Sequence, residues 1–128
     1  MLEIRGLCKS YGGRQALAPV SFVLPEGRCL GLAGSNGSGK STLLRLMAQI
    51  ERPDGGQLLH RGRNVLGDRR FCRREVGYVP QRAELVEELS VKGQLTLWQR
   101  ACGLGGPLPG DVLELLGLEE LLPRPVRA

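Results

Sequence analysis

Aromatic side chains are scarce in this chain: two Phe, two Tyr and one Trp among 128 residues. The basic residues are not interleaved with rings, as they are in proteins that stack single-stranded nucleic acid. Histidine occurs once, as His60, beside the turn residues Arg61 and Gly62, so a Ser-His-Asp arrangement has nothing to stand on. The four cysteines, Cys8, Cys29, Cys72 and Cys102, stand far apart with no Cys-x-x-Cys pair. That spacing supports neither a zinc site nor thioredoxin-like chemistry, and it reads as buried or incidental thiols of a reducing compartment. No apolar run approaches a membrane span, and the opening Met1-Leu2-Glu3-Ile4-Arg5 has no signal core. The expected location is therefore the cytoplasm. Internal repeats are also lacking.

Glycine and charge are abundant instead. Nineteen glycines and eight prolines imply much loop, while 41% hydrophobic residues suffice for a packed core in one domain or part of one. The net charge is +5, and arginine supplies 15 of the 18 cations. A solvated face plus a site for a polyanionic nucleotide accounts for this charge better than nucleic acid does.

One stretch carries most of the chemical information: Gly34-Ser35-Asn36-Gly37-Ser38-Gly39-Lys40-Ser41-Thr42. It fits the phosphate-loop pattern of glycine, four residues, then Gly-Lys-Ser/Thr. A triphosphate is a chain of negative charge, and a loop that wraps it must turn several backbone N–H groups inward. Glycines permit that curvature and let the backbone come close. Lys40 supplies a point charge for the β- and γ-phosphates, and Ser41 a hydroxyl for Mg²⁺. The flanks agree. Cys29-Leu30-Gly31-Leu32-Ala33 reads as a buried parallel strand, and Leu43, Leu44, Leu46, Met47 and Ile50 lie at helical spacing. A dinucleotide-binding loop is disfavoured, because the glycines run in the wrong order and Lys40-Ser41 would be idle.

Elsewhere, Leu2 and Ile4, with Leu7, predict a first strand. A turn follows at Tyr11 to Arg14, then a second strand over Ala18 to Leu24, antiparallel to the first. The loop helix should end near Ile50, followed by a turn at Pro53-Asp54-Gly55-Gly56. Strands are expected at Gln57 to His60 and Val76 to Val79, with a turn at Arg61 to Asn64 between them. Helices are expected from about Val91 to Cys102 and from Val112, resuming near Leu118, with a Gly/Pro-rich loop from Gly103 to Gly110. Residues 1–81 thus form a strand-rich nucleotide-binding core and residues 82–128 a helical continuation.

Taken in order, Tyr11, the phosphate loop, Pro53-Asp54-Gly55-Gly56, Val76-Gly77-Tyr78-Val79-Pro80-Gln81 and Glu88-Leu89-Ser90-Val91 resemble an ATP-binding cassette domain, the motor subunit of ABC transporters. The resemblance implies an α/β P-loop NTPase core of ABC type, with an antiparallel β-subdomain and the start of a helical subdomain. It also implies ATP and Mg²⁺ as ligands. By its terms Tyr11 stacks on adenine, and Ser35, Asn36, Gly37, Ser38, Gly39, Lys40, Ser41 and Thr42 bind the phosphates, with Thr42 near the α-phosphate. Lys40 and Gln81 are the catalytic residues, Gln81 reaching Mg²⁺ and the attacking water beside Ser41. Arg82 to Leu89 contacts a transmembrane domain. A second cassette pairs head to tail, and the location becomes the inner face of a membrane.

The family's later motifs are absent: the Leu-Ser-Gly-Gly-Gln signature, the strand ending in Asp-Glu and the γ-phosphate histidine. Leu115-Leu116-Gly117-Leu118-Glu119-Glu120 resembles that acidic strand only superficially, because its leucines fit helical spacing. The expectation is an incomplete cassette, its first half, that by itself binds nucleotide weakly and hydrolyses it negligibly. A non-transport cassette ATPase of translation or DNA repair and a non-catalytic nucleotide-binding fragment stay open as alternatives.

Overall fold

The computed structural model describes residues 1–82 and 85–127. The chain divides into two compact units, Met1–Cys72 and Arg73–Ala128. The first is built on a four-stranded antiparallel sheet of order β2-β1-β3-β4, where β1 is Leu2–Tyr11, β2 Arg14–Leu24, β3 Gly55–His60 and β4 Arg63–Asn64. Helix α1 is Lys40–Met47, and its buried Leu43 and Leu46 join Ile4, Leu7, Leu17, Leu58 and Val65 in one core.

The order of apolar residues in β1 is explained by a bulge. Strict alternation would place Ile4 and Leu7 on opposite faces of the sheet. Ile4 pairs with Phe22 and Leu7 with Val20, so three steps on β1 oppose two on β2. The extra residue returns Leu7 to the core face, where it is fully buried. Gly6 takes the required positive φ of 59°, and its N–H donates to Ser21 Oγ at 2.8 Å. The bulge shows against β3 too, where Arg5 pairs with Gln57 and Cys8 with Gly55. Between those pairs Gly56, at φ 98°, lies so near the bulge that a Cβ would fall 2.6 Å from Gly6 C, Gly6 O and Leu7 Cα.

Both hairpins close with two-residue turns. Gly12 and Gly13 link β1 to β2, and Arg61 and Gly62 link β3 to β4, all four at positive φ as a type I′ turn requires. The second strand therefore starts at Arg14, four residues before the predicted Ala18, and Arg63–Asn64 is a strand rather than part of a turn. His60 ends β3 half-buried, its ring 5.0 Å from that of Phe71.

Two predicted strands are not formed. Cys29 to Ala33 and Val76 to Val79 carry no regular structure, and Leu30 and Val79 are exposed. An apolar parallel strand is stable only when paired with a neighbour and covered on both faces. Among the described residues no strand pairs with either segment. Helix α1 also stops sooner than Ile50. Gln49 turns left-handed at φ 57°, its N–H bonds Leu46 O at 3.0 Å, and Ile50 N–H bonds Arg45 O at 2.9 Å. This is a Schellman ending with glutamine in the place usually held by glycine. Gln49 Oε1 accepts from Gly67 N at 2.7 Å, which favours the glutamine there.

An unexpected helix, α2, covers Arg69–Glu75. Asp68 caps it, Oδ1 accepting from the N–H groups of Arg70 and Phe71 at 3.0 Å each. The Phe71 N–H holds the Asp68 carboxyl below its ordinary pKa.

In the second unit α3 is Val91–Ala101 and α4 is Gly110–Leu115, followed by a 3₁₀ turn at Glu119–Leu121. In the superficially acidic-strand segment Leu115 ends α4, Leu116 and Gly117 turn, and Leu118 precedes the 3₁₀ turn, so no strand forms there. Ser90 caps α3 through Gly93 N at 3.1 Å. The start of α3 is tied to the chain's last turn by Val91 N to Arg124 O, Lys92 N to Leu122 O and Val126 N to Leu89 O, at 2.9 to 3.0 Å. No helix among the described residues is long and apolar enough to cross a membrane.

Candidate functional site

The phosphate-loop residues come together in the first unit, at the start of α1. Gly34, Gly37 and Gly39 have φ of 154°, 82° and 92°. A Cβ would displace a side chain at Gly34 and strike backbone at Gly39. A Cβ on Gly34 would lie 2.8 Å from Ser38 Oγ, and one on Gly39 would lie 2.8 Å from Ala16 O and 3.0 Å from Leu17 Cδ1. The loop therefore curls on itself at Gly34 and presses against β2 at Gly39.

Lys40 fills the curl. Its ammonium donates to Gly34 O and Ser35 O at 2.8 Å each and to Ser38 Oγ at 3.3 Å. A cation is thereby held inside a ring of backbone, at the positive end of a helix with no acidic residue in its first turn. The first intrahelical bond runs from Leu43 N to Gly39 O at 2.8 Å, which leaves the N–H groups of Lys40, Ser41 and Thr42 without helix partners. Ser41 is exposed and Thr42 is buried. An exposed glycine loop that holds a cation beside a free helix N-terminus has the chemistry to receive an anion.

Tyr11 stands at the end of β1, 44% exposed, which leaves ring surface open to a ligand. It is surrounded by partners that sequence reading did not find. Its hydroxyl donates to Glu51 Oε2, and Arg45 Nε pairs with Glu51 Oε1 at 2.9 Å. Lys9 Nζ lies over the ring, 5.6 Å from its centroid, and donates to Asp54 Oδ1 at 2.9 Å and Arg52 O at 2.8 Å. Asp54 Oδ2 accepts from Ser10 N at 2.7 Å. The Lys9 ammonium and the Ser10 N–H hold the Asp54 carboxyl below its ordinary pKa, and Asp54 in turn raises that of Lys9. These side chains meet only because β1 and the turn after α1 run side by side. No local spacing links residues about forty positions apart.

Gln81 belongs to the second unit, exposed in a bend after the irregular Val76 to Pro80. Of the expected docking segment, Ala83 and Glu84 lie outside the described residues. Leu85 and Val86 are 41% and 42% exposed. The segment is fixed from behind, where buried Gln94 on α3 accepts through Oε1 from Val86 N at 2.8 Å.

Known proteins share this sequence pattern and fold. The family described as ABC transporter matches residues 17–128, and the chain belongs to that family. It is 36% identical to the Nod factor export ATP-binding protein I of Ralstonia nicotianae, over 100% of this chain and 41% of that one. It is likewise 36% identical to the uncharacterized ABC transporter ATP-binding protein YxlF of Bacillus subtilis, over 94% of this chain and 40% of that protein. A solved ATP-binding subunit of an ABC transporter superposes with a TM-score of 0.80 at 30% identity, covering 96% of this chain and 53% of the other. The chain thus spans about two-fifths of the curated relatives it matches. The fold is the α/β cassette fold, seen in part.

Proposed function

We propose that this chain is the nucleotide-gripping part of an ABC transporter ATPase, binding ATP with Mg²⁺ and, within the whole protein, hydrolysing it to drive transport. The observation that carries the reading is the Lys40 ammonium inside the ring of Gly34 O, Ser35 O and Ser38 Oγ, at an uncapped helix start. A cation in a glycine loop at a helix N-terminus suits the charge and reach of a polyphosphate.

On binding, Lys40 exchanges the two carbonyls for the β- and γ-phosphate oxygens. The N–H groups of Lys40, Ser41 and Thr42 and the loop from Ser35 to Gly39 line the phosphates, while Tyr11 stacks on the base. Buried Thr42 contributes by its backbone, and exposed Ser41 offers its hydroxyl to Mg²⁺. When bound, Mg²⁺ neutralises charge on the phosphates. Gln81 holds water and metal with a neutral amide. Catalysis is then positioning and charge neutralisation of an in-line displacement.

Arg82 to Leu89 is the proposed contact with a transmembrane domain, supported by exposed Leu85 and Val86 on a braced segment. A second cassette is the proposed partner over the nucleotide, and one similar cassette, MJ0796, is solved as a dimer. The proposed location is the inner face of a membrane.

The test is titration of the full natural chain with a fluorescent ATP analogue. Lys40→Ala should weaken binding at least about tenfold, the worth of a charge-assisted contact. Unchanged affinity would overturn the assignment. Co-purification with membrane subunits supports the transport role, whereas co-purification with ribosomes or DNA contradicts it.

A further inference from the structure

Tyr11 needs more than a ring to receive a base. A tyrosine at a strand end rotates about two torsions, and a stacked complex selects one ring plane. A side chain ordered in advance loses less entropy on binding than one ordered by the ligand. The surroundings of Tyr11 supply that order at three points. Its hydroxyl is held by Glu51 Oε2, one face lies under the Lys9 ammonium, and the preceding residue's N–H is held by Asp54. Glu51 is itself held, through Oε1, by Arg45 at 2.9 Å.

Arg45 lies on α1, the helix whose first residue is Lys40. Eight residues rise by roughly 12 Å, so one rigid element carries the phosphate grip at its start and the anchor of the ring toward its end. We infer that Glu51, backed by Arg45, is a positioning residue that sets the plane of Tyr11 for the nucleotide base and ties it to the phosphate-loop helix. The inference rests on the proposed stacking role of Tyr11. It assigns Glu51 no contact with nucleotide: the carboxylate accepts from the phenol and forms an ion pair with the guanidinium, and its effect reaches the ligand through the ring.

The prediction separates base from phosphate. Calorimetric titration of the full natural chain is made with ATP and with inorganic tripolyphosphate, which has no base. Four variants are compared with the parent: Tyr11→Ala, Tyr11→Phe, Glu51→Ala and the double variant Tyr11→Phe/Glu51→Ala. Tyr11→Ala should weaken ATP about ten- to hundredfold through loss of stacking. Tyr11→Phe keeps the ring and loses only the anchor, and should weaken ATP about three- to tenfold, the cost of ordering one side chain on binding. Glu51→Ala should match it, and the double variant should be no worse than either single one, because both remove the same contact. Tripolyphosphate affinity should not move in any of them.

The failures differ. If Tyr11→Ala leaves ATP affinity unchanged, the stacking role falls and the positioning role with it. If Tyr11→Ala weakens ATP while Tyr11→Phe does not, stacking stands and positioning is refuted. If Glu51→Ala weakens ATP and tripolyphosphate equally, Glu51 only supports the helix end, which also refutes positioning. Tyr11→Phe leaves the Arg45–Glu51 pair in place, so the inference stays testable should Glu51→Ala unfold the protein.

Discussion

Gly39→Ala tests whether the phosphate loop is shaped by its own backbone or by the strand beneath it. Two costs combine at this position. At φ 92° any L-residue bears the left-handed penalty of roughly 1–2 kcal/mol. Alanine also narrows the unfolded ensemble, which returns about 0.4–1 kcal/mol. The second cost is tertiary: the new methyl would sit 2.8 Å from Ala16 O and 3.0 Å from Leu17 Cδ1. Forcing a methyl into a filled space costs about 1–3 kcal/mol. Together these predict a loss of about 2–4 kcal/mol. Gly37→Ala is the matched control. It has a similar φ of 82°, and a Cβ there meets nothing within 4 Å. It should lose only the backbone part, about 1 kcal/mol. Urea denaturation of both variants and the parent, at one protein concentration, measures the difference. With an m-value of about 1–2 kcal/mol/M the two midpoints should differ by roughly 1 M. Equal midpoints would refute the argument, since the contact with β2 would then cost nothing.

Other perturbations bear on the same architecture. Gly56→Ala should be worse still, above about 3 kcal/mol, because its Cβ meets three backbone atoms at 2.6 Å; loss of soluble protein or of the strand signal in circular dichroism checks this. Ser90→Ala removes the side-chain cap of α3 and should cost about 1 kcal/mol in denaturant unfolding, with Ser90→Asp restoring most of it. The Asp54–Lys9 clamp predicts a pH dependence. The folded state depresses the Asp54 pKa below its ordinary 3.8, so its contribution is full above that value and fades as pH falls through the lower folded one. The melting-temperature gap between the parent and Asp54→Asn should accordingly be constant near neutrality and close below about pH 4; a gap that widens on acidification contradicts the assignment.

Local pattern carried much of this protein. The phosphate loop and α1 follow from glycine spacing and an apolar stripe, and the β1–β2 hairpin from a Gly-Gly pair between alternating residues. Helix α3, Val91–Ala101, falls within the expected Val91 to Cys102. Four arginines hide helix α2: only Phe71 and Cys72 turn inward to half-burial, and the informative residue is the cap, Asp68.

What sequence alone determined is therefore pattern within a few residues along the chain: the phosphate-loop motif, the helix that follows it and the turn that closes the first hairpin. Backbone torsions and caps set these features, and their energies are local. Tertiary structure decided the rest. Cys29 to Ala33 has the composition of a buried strand, but a strand exists only when another pairs with it. Leu7 enters the core only through the Gly6 bulge against β2 and β3. The anchor of Tyr11 joins Glu51 across forty positions, because burial, pairing and charge contact depend on distance in space, which sequence spacing leaves open.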